Sequence, residues 1–390
     1  MDGISDKDQS TEYESSNDED VQALQIVDEQ EPPVVKERAK KSQIEGKMSF
    51  GMLKLELNHL RSLDHISKIK VQQSVAMSYT SSNEPNLFQK AISVKSGASM
   101  VDLNVVYEDT DHNGDTLSRG TVIMTHGAPG SHKDFKYVTP HLKRLGIRSI
   151  GVNWPGLGYS SYNNRLQNTN EERAQLLQGL VDSLGLESNL VFLGHSRGSE
   201  DALRMAANNQ DKTAAAVLVN PIGFRPHRGV RPFWGLKVFV WIWNLSVLLQ
   251  PFLSPIYYLV YQTLGLKAKT GHIAGICLTL MAHSDFSKQK DSINLLKGDD
   301  CPRVLVACSG KDHLIESELT KEFVCAFHRM AEVVCTTTSD EPDIVERATE
   351  VLGYGRHLSV FFKEENHFLQ KHRALFLAEM VSVLLTDKNK

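Results

Sequence analysis

Three side chains able to work together as an activated nucleophile occur in order along this chain: Ser196 in GHSRG, Asp312 in SGKDHLI and His367 in ENHFLQ. A serine hydroxyl alone is a poor nucleophile. It attacks a carbonyl carbon when a histidine takes its proton and a carboxylate orients that histidine. The competing reading of GHSRG is an ordinary glycine-bounded turn, because G-x-S-x-G arises by chance in about one chain of this length in ten. Context favours the nucleophile: NLVFLG before it reads as a strand and SEDALRMAA after it as a helix. A sharp strand–serine–helix bend brings backbones together, so it needs Gly194 and Gly198 beside the serine. It also lifts the hydroxyl to the carboxyl edge of a sheet, over a helix N-terminus that favours developing negative charge.

The partners should follow as acid and then histidine, each on a loop after a strand. VLVACSGKDHLIE puts Asp312 just after one apolar strand, and LSVFFKEENHFLQKH puts His367 just after the last. Rivals fit less well. Glu316 sits further along and enters a helix; Asp285 and Asp299 precede the strand; His372 falls within a helical stretch; His313 is expected to point away from its neighbour Asp312. The third requirement is a pair of backbone N–H groups facing the oxyanion. One is Arg197, directly after the serine. VIMTHGAPGS offers the other on the loop His126-Gly127-Ala128-Pro129-Gly130, with the Ala128 N–H as candidate and a structural glycine turn as the alternative.

These loops need strands to carry them. FQKAISV and VDLNVVYED read as extended segments, with DHNGD as the turn after the second. From residue 120 strands and helices alternate: GTVIMTH, a helix FKYVTPHLKRLG, RSIGVNW, a helix NEERAQLLQGLVDSLG, NLVFLGH, a helix SEDALRMAANN, then AAAVLVNP. After a long apolar interval come RVLVACSG, a helical stretch, HLSVFFKE and the helix RALFLAEMVSVLL. Short continuous apolar strands between helices predict a mostly parallel sheet covered on both faces. Residues 1–48 are polar and charge-rich, too poor in apolar surface to offset the entropy of folding, and read as a disordered acidic tail. Its role is solubilising, or it carries phosphoserines or binds a partner that the sequence does not name. Residues 49–84 read as an amphipathic helix, with Leu53, Leu57, Leu60, Leu63, Ile66 and Ile69 at helical spacing, and a linker.

Residues 233–264, FWGLKVFVWIWNLSVLLQPFLSPIYYLVYQTL, form the most apolar stretch. One membrane span there would put strands of one sheet on opposite sides of a bilayer. Two spans divided near Pro251 would each fall short of the ~20 residues needed. A lid is therefore expected, packed on the sheet or resting in a membrane interface with Trp234, Trp241, Trp243, Tyr257, Tyr258 and Tyr261 as interfacial residues.

The 390 residues are 41% hydrophobic and 23% charged with net charge −4, a globular composition without the clustered Lys and Arg of a nucleic-acid surface. Five cysteines (Cys277, Cys301, Cys308, Cys325, Cys335) form no CxxC pair, and no apolar signal stretch opens the acidic N-terminus. A reducing, cytoplasmic location is expected, with a membrane surface as its variant. No GxxxxGKS/T, HExxH or GxGxxG motif occurs, so neither cofactor nor metal is expected.

Together these motifs resemble the α/β-hydrolase-fold serine hydrolases. HGAPG is similar to their His-Gly-x-Pro oxyanion loop, with His126 and Gly127 as its support. NWPGLGYSS is similar to a D-x-P-G-x-G-x-S turn, and GHSRG, SGKDHLI and ENHFLQ to the nucleophile, acid and histidine loops. The resemblance covers residues 85–388 and implies a cap insertion at about 225–295. The chain also resembles a little-characterised hydrolase-like group known mainly from nematodes. Two departures stand out. Asn153 replaces a usual aspartate that braces the loop, and Ser196 stands where epoxide hydrolases and haloalkane dehalogenases have an aspartate. The expectation is a serine hydrolase of an ester or related acyl bond, with a lipid-like substrate. The alternatives are an acyltransferase using the same triad and a non-catalytic ligand- or partner-binding protein on the same fold.

Overall fold

The computed structural model describes residues 84–114, 118–336 and 341–386; the expected tail and the amphipathic helix lie outside them. Its strands are β1 (Leu87–Ser96), β2 (Ser99–Asp109), β3 (Thr121–Thr125), β4 (Arg148–Val152), β5 (Leu190–His195), β6 (Thr213–Val219), β7 (Arg303–Ser309), β8 (Met330–Cys335) and β9 (His357–Phe362). They form one sheet in the order β1-β2-β4-β3-β5-β6-β7-β9-β8. β1 with β2, and β2 with β4, are antiparallel; the remaining neighbours are parallel.

The helices are α1 (Thr139–Arg144), α2 (Asn170–Ser183), α3 (Gly198–Asn208), α4 (Phe233–Asn244), α5 (Gln250–Thr263), α6 (Gly271–Ala282), α7 (Gln289–Leu295), α8 (Ser317–Val324), α9 (Glu341–Leu352), α10 (Leu369–His372) and α11 (Ala374–Thr386). Every residue of β3 and β5 is buried, because helices cover both faces and no strand position meets water. The period of two divides the side chains between two cores. Val122, Met124, Val191, Leu193, Val217 and Val219 pack on the side of α1, α9 and α11. Ile123, Phe192, Ala216 and Leu218 pack on the side of α2, α3 and the cap. Each such Val, Leu, Ile, Met or Phe side chain contributes about 1.5–3 kcal/mol on burial.

Parallel pairing also sets where the loops emerge. His195 lies beside Val219, Val219 beside Ala307, and Ser309 beside Phe362, so the loops after β3, β5, β6, β7 and β9 share one carboxyl edge. The structure differs from the sequence reading at β8. It is an edge strand, paired only with β9, and its burial alternates, with Glu332 and Val334 exposed and Val333 and Cys335 buried, so it lacks the continuous apolar run of the central strands.

Helices α4 to α7 fall between β6 and β7. Among the described residues no helix is long and apolar enough to cross a membrane. α6 is buried from Ala274 to Ala282, consistent with a helix that is apolar all round. α4 and α5 sit on it. A Cβ at Gly275 would lie 2.4 Å from the Trp243 ring, so α4 needs a glycine there. Trp243, Tyr257 and Tyr261 accordingly point inward and are 0, 1 and 0% exposed, correcting the expectation that they meet an interface. Trp234 and Trp241 face outward.

Candidate active site

β5 ends at His195 and α3 begins at Gly198, leaving Ser196 on the bend at φ +53°. This left-handed conformation is rare for a residue with a Cβ and marks a backbone held in place by its surroundings. The Ser196 N–H donates to the Val219 carbonyl at 2.9 Å, and the Ser199 hydroxyl donates to the Ser196 carbonyl at 2.6 Å. The flanking glycines answer to close approach. A Cβ at Gly194 would lie 2.4 Å from the Gly198 carbonyl oxygen, and one at Gly198 would lie 2.1 Å from that of Thr125.

The structure brings the three separated motifs together. His367 Nε2 is 3.1 Å from Ser196 Oγ, and His367 Nδ1 is 2.7 Å from Asp312 Oδ2. The other carboxylate oxygen of Asp312 accepts the N–H groups of Leu314 at 2.8 Å and Ile315 at 3.0 Å. Burial raises the Asp312 pKa, but the His367 hydrogen bond, its charge and the two backbone donors outweigh it and hold the carboxyl below the usual range. Asp312 therefore stays ionised beside the imidazole, with a hydroxyl within reach of the far nitrogen.

His367 is itself fixed from behind, by groups the sequence reading did not single out. His195 Nε2 donates to the His367 carbonyl at 2.9 Å, and Asn220 Nδ2 donates to the same oxygen at 2.9 Å. Gln370 Nε2 donates to His195 Nδ1 at 3.3 Å. Burial, aided by the neighbouring His367, pushes the His195 pKa down to about 3, so its neutral ring keeps this tautomer. The available signals were position only: His195 immediately precedes the serine, and Asn220 immediately follows an apolar strand.

The loop after β3 lies against the bend. A Cβ on Gly127 would be 3.3 Å from Ser196 Cβ. Burial pushes the His126 pKa down to about 3. Its Nδ1–H donates to the Gly127 carbonyl at 2.7 Å, while Nε2 accepts the Trp154 N–H at 3.4 Å. Because the peptide is planar, drawing the Gly127 carbonyl to His126 turns the Ala128 N–H to the opposite side. Asn153 braces this region: Oδ1 accepts the His132 N–H at 3.0 Å and Nδ2 donates to the Val106 carbonyl at 3.0 Å.

The Arg197 side chain is buried, pairing with Glu200 at 2.9 Å and donating to the Leu280 carbonyl of α6 at 3.2 Å. Asp201 pairs with Arg173, whose guanidinium lies 3.8 Å above the Trp154 ring. Two cations and two anions thus join α2, α3 and the cap beneath the serine.

The rival acids are engaged elsewhere. Glu316 pairs with Arg231 and accepts the Arg228 N–H at 3.0 Å, stitching the start of the cap to the acid loop. Asp285 pairs with Lys288 and Asp299 with Arg329. His372 is exposed at the end of α10. His313 departs from expectation: its ring lies 6.1 Å from that of His367, edge to face. A cavity of about 340 Å³ opens between Tyr162, Asn164–Gln167 and the cap residues Asn244, Val247, Gln250 and His283, and none of Ser196, Asp312 and His367 lines it.

A mostly parallel sheet with a serine bend at its carboxyl edge defines the α/β-hydrolase class. Over residues 84–386 the chain matches the family described as "Alpha/beta hydrolase of unknown function", and it belongs to that family. It is 30% identical over 311 residues to an uncharacterized protein of Caenorhabditis elegans, covering 76% of this chain and 87% of that one. It is 25% identical over 162 residues to bifunctional epoxide hydrolase 2 of Sus scrofa, spanning 41% of this chain and 27% of that protein. An esterase structure from Exiguobacterium antarcticum superposes with TM-score 0.51 at 15% identity, over 76% of this chain and all of that one, a likeness of fold alone.

Proposed function

We propose that the protein hydrolyses a carboxylic ester or related acyl bond, with Ser196, His367 and Asp312 as its catalytic groups. The observation that carries this reading is the continuous chain from Ser196 Oγ to His367 Nε2 at 3.1 Å and from His367 Nδ1 to Asp312 at 2.7 Å. As Ser196 Oγ bonds to the acyl carbon, its proton passes to His367 Nε2, and Asp312 stabilises the imidazolium. The carbonyl electrons move onto oxygen, which the N–H groups of Ala128 and Arg197 receive. Collapse breaks the bond to the leaving alcohol, which takes the proton from His367. Water then attacks the acyl-serine with the same histidine as base, releasing the acid and restoring the hydroxyl. The serine supports acyl chemistry over the aspartate-based opening of epoxides.

The substrate in this reading carries a lipid-like acyl chain, supported by the apolar helices of the cap above α6. Burial gains about 0.8 kcal/mol per methylene, so four added carbons raise kcat/KM roughly a hundredfold. The test is turnover of activated esters of rising chain length by wild type and Ser196→Ala. Serine-dependent activity that rises with length is expected. A flat profile would remove the lipid specificity, activity independent of Ser196 would overturn the reading, and transfer to an added alcohol that outpaces hydrolysis would make it an acyltransferase.

A further inference from the structure

The outer surface of the cap is apolar on a scale that a chain exposed only to water does not leave uncovered. On α4, Trp234, Val238, Trp241 and the following Leu245 recur at four- and three-residue steps and are 73, 46, 63 and 53% exposed. On α5, Phe252, Ile256 and Leu259 repeat the step at 79, 52 and 62%, and Leu248 in the connection is 52% exposed. The opposite faces of both helices are the ones buried on α6, through Trp243 and Tyr257, and a Tyr257 hydroxyl bond to the Phe239 carbonyl joins the two. Both apolar stripes therefore point the same way, outward. An aromatic side chain buries about 150–250 Å², so the two tryptophans and Phe252 alone expose more than the few hundred Å² at which a patch marks a contact surface.

Charge selects the occupant. The chain holds 47 acidic residues, yet none occurs from residue 212 to residue 284. Arg225 and Arg231 are paired with Glu322 and Glu316 on the body of the protein. Lys237 is exposed beside the α4 stripe, and Lys267 and Lys269 are exposed just past the end of α5. An apolar face with tryptophan at its surface and lysine at its margins suits the headgroup boundary of an anionic bilayer. A second copy fits badly, because a two-fold interface sets the patch against an identical one whose stretch of chain holds no acidic side chain to answer the lysines. Residues 50–72 carry four basic and two acidic side chains, so they too match the patch in sign instead of complementing it.

We propose that the outer face of α4 and α5 docks on a lipid bilayer containing anionic headgroups. Trp234, Trp241 and Phe252 enter the boundary region, and Lys237, Lys267 and Lys269 meet the headgroup charge. This docking is independent of Ser196 chemistry. The test uses the full chain with phosphatidylcholine vesicles, with and without phosphatidylserine, read by flotation and by tryptophan quenching from brominated lipid. Of the four tryptophans, Trp154 and Trp243 are 0% exposed, so quenching reports Trp234 and Trp241.

The expected result is salt-sensitive flotation with phosphatidylserine and concurrent quenching. Trp234→Ser with Trp241→Ser lowers vesicle partitioning roughly tenfold or more, and Lys237→Gln with Lys267→Gln and Lys269→Gln reduces the preference for phosphatidylserine. Because these side chains are exposed, the variants keep the wild-type melting temperature. Ser196→Ala floats like wild type, so loss of the hydrolase reading would leave this one standing. Absence of flotation, or equal flotation by the tryptophan variant, would overturn the proposal. So would shielding of Trp234 and Trp241 from acrylamide without vesicles, which would mean that a second copy or residues 50–72 already cover the face.

Discussion

The side-chain amide of Asn220 donates to the backbone carbonyl of His367 at 2.9 Å, tying the end of β6 to the loop that carries the imidazole. The same side chain accepts the Ser309 N–H at 2.8 Å and donates to the Ser309 hydroxyl at 3.0 Å, so one residue joins the ends of β6 and β7 to the His367 loop. Asn220→Ala leaves Ser196, Asp312 and His367 in the chain and removes one of the two side chains that hold the His367 carbonyl, leaving His195 alone. We expect kcat to fall on the order of tenfold to a hundredfold with KM little changed, because misplacement costs orientation more than binding. Measuring both constants on a short activated ester checks this; an unchanged kcat would show that the loop is held without Asn220.

In the proposed mechanism Ser196, His367 and Asp312 act as a unit, so their losses should not add. Ser196→Ala and His367→Ala are each expected to lower the rate on the order of 10⁴-fold or more, with the double variant no worse than either. Asp312→Asn should cost as much or less, since the ring loses its orientation but not its base. Steady-state kinetics on the four variants tests the set. Additive losses would mean that the residues act separately.

Burying Arg173 is sustainable only while Asp201 answers it. The pair is nearly solvent-free, at 4 and 3% side-chain exposure, and the other cation near Asp201, Arg197, stands 3.9 Å away. Arg173→Met strands a buried carboxylate and is expected to destabilise the fold by about 3–5 kcal/mol. Adding Asp201→Asn should recover much of that loss. Urea denaturation of the single and double variants decides; equal midpoints for wild type and Arg173→Met would show that the pair contributes nothing.

His357 predicts a pH effect of definite sign. Its Nδ1 accepts the Val304 N–H at 3.1 Å and its Nε2–H donates to the Leu296 carbonyl at 3.2 Å, so the folded state needs the neutral ring. Burial, with Arg356 nearby, pushes its pKa down to about 4. The unfolded chain takes up a proton below about pH 6.5 while the folded chain does not, so stability falls as pH drops from 6.5 towards 4. The advantage of wild type over His357→Gln should shrink by roughly 1 kcal/mol between pH 7.5 and 5.5. Denaturation of both chains at the two pH values measures it; a constant difference would contradict a neutral buried ring.

The order of Ser196, Asp312 and His367 was legible because each follows a strand whose apolar run is continuous, and such strands can lie only inside a covered parallel sheet. Gly194 and Gly198 were legible because a serine bend leaves no room for Cβ. β8 was not, since an edge strand is half exposed and its Glu332 interrupts the apolar run by which the central strands are read. Nor were Asn220 and His195, whose work is done through a backbone carbonyl that lies far away in sequence. The density of apolar residues in 233–264 announced a cap. Which of its aromatics face inward depends on the fit of Trp243 against Gly275, a contact no spacing rule foresees.

A fluorophosphonate probe tests most directly whether Ser196 is an activated nucleophile, because phosphorus takes the place of the acyl carbon. Intact-mass analysis of the wild-type chain should show one adduct, mapped to the peptide containing Ser196, with no adduct on Ser196→Ala and slowed labelling of His367→Ala. An unlabelled wild-type chain, or equal labelling of Ser196→Ala, would contradict that role for Ser196.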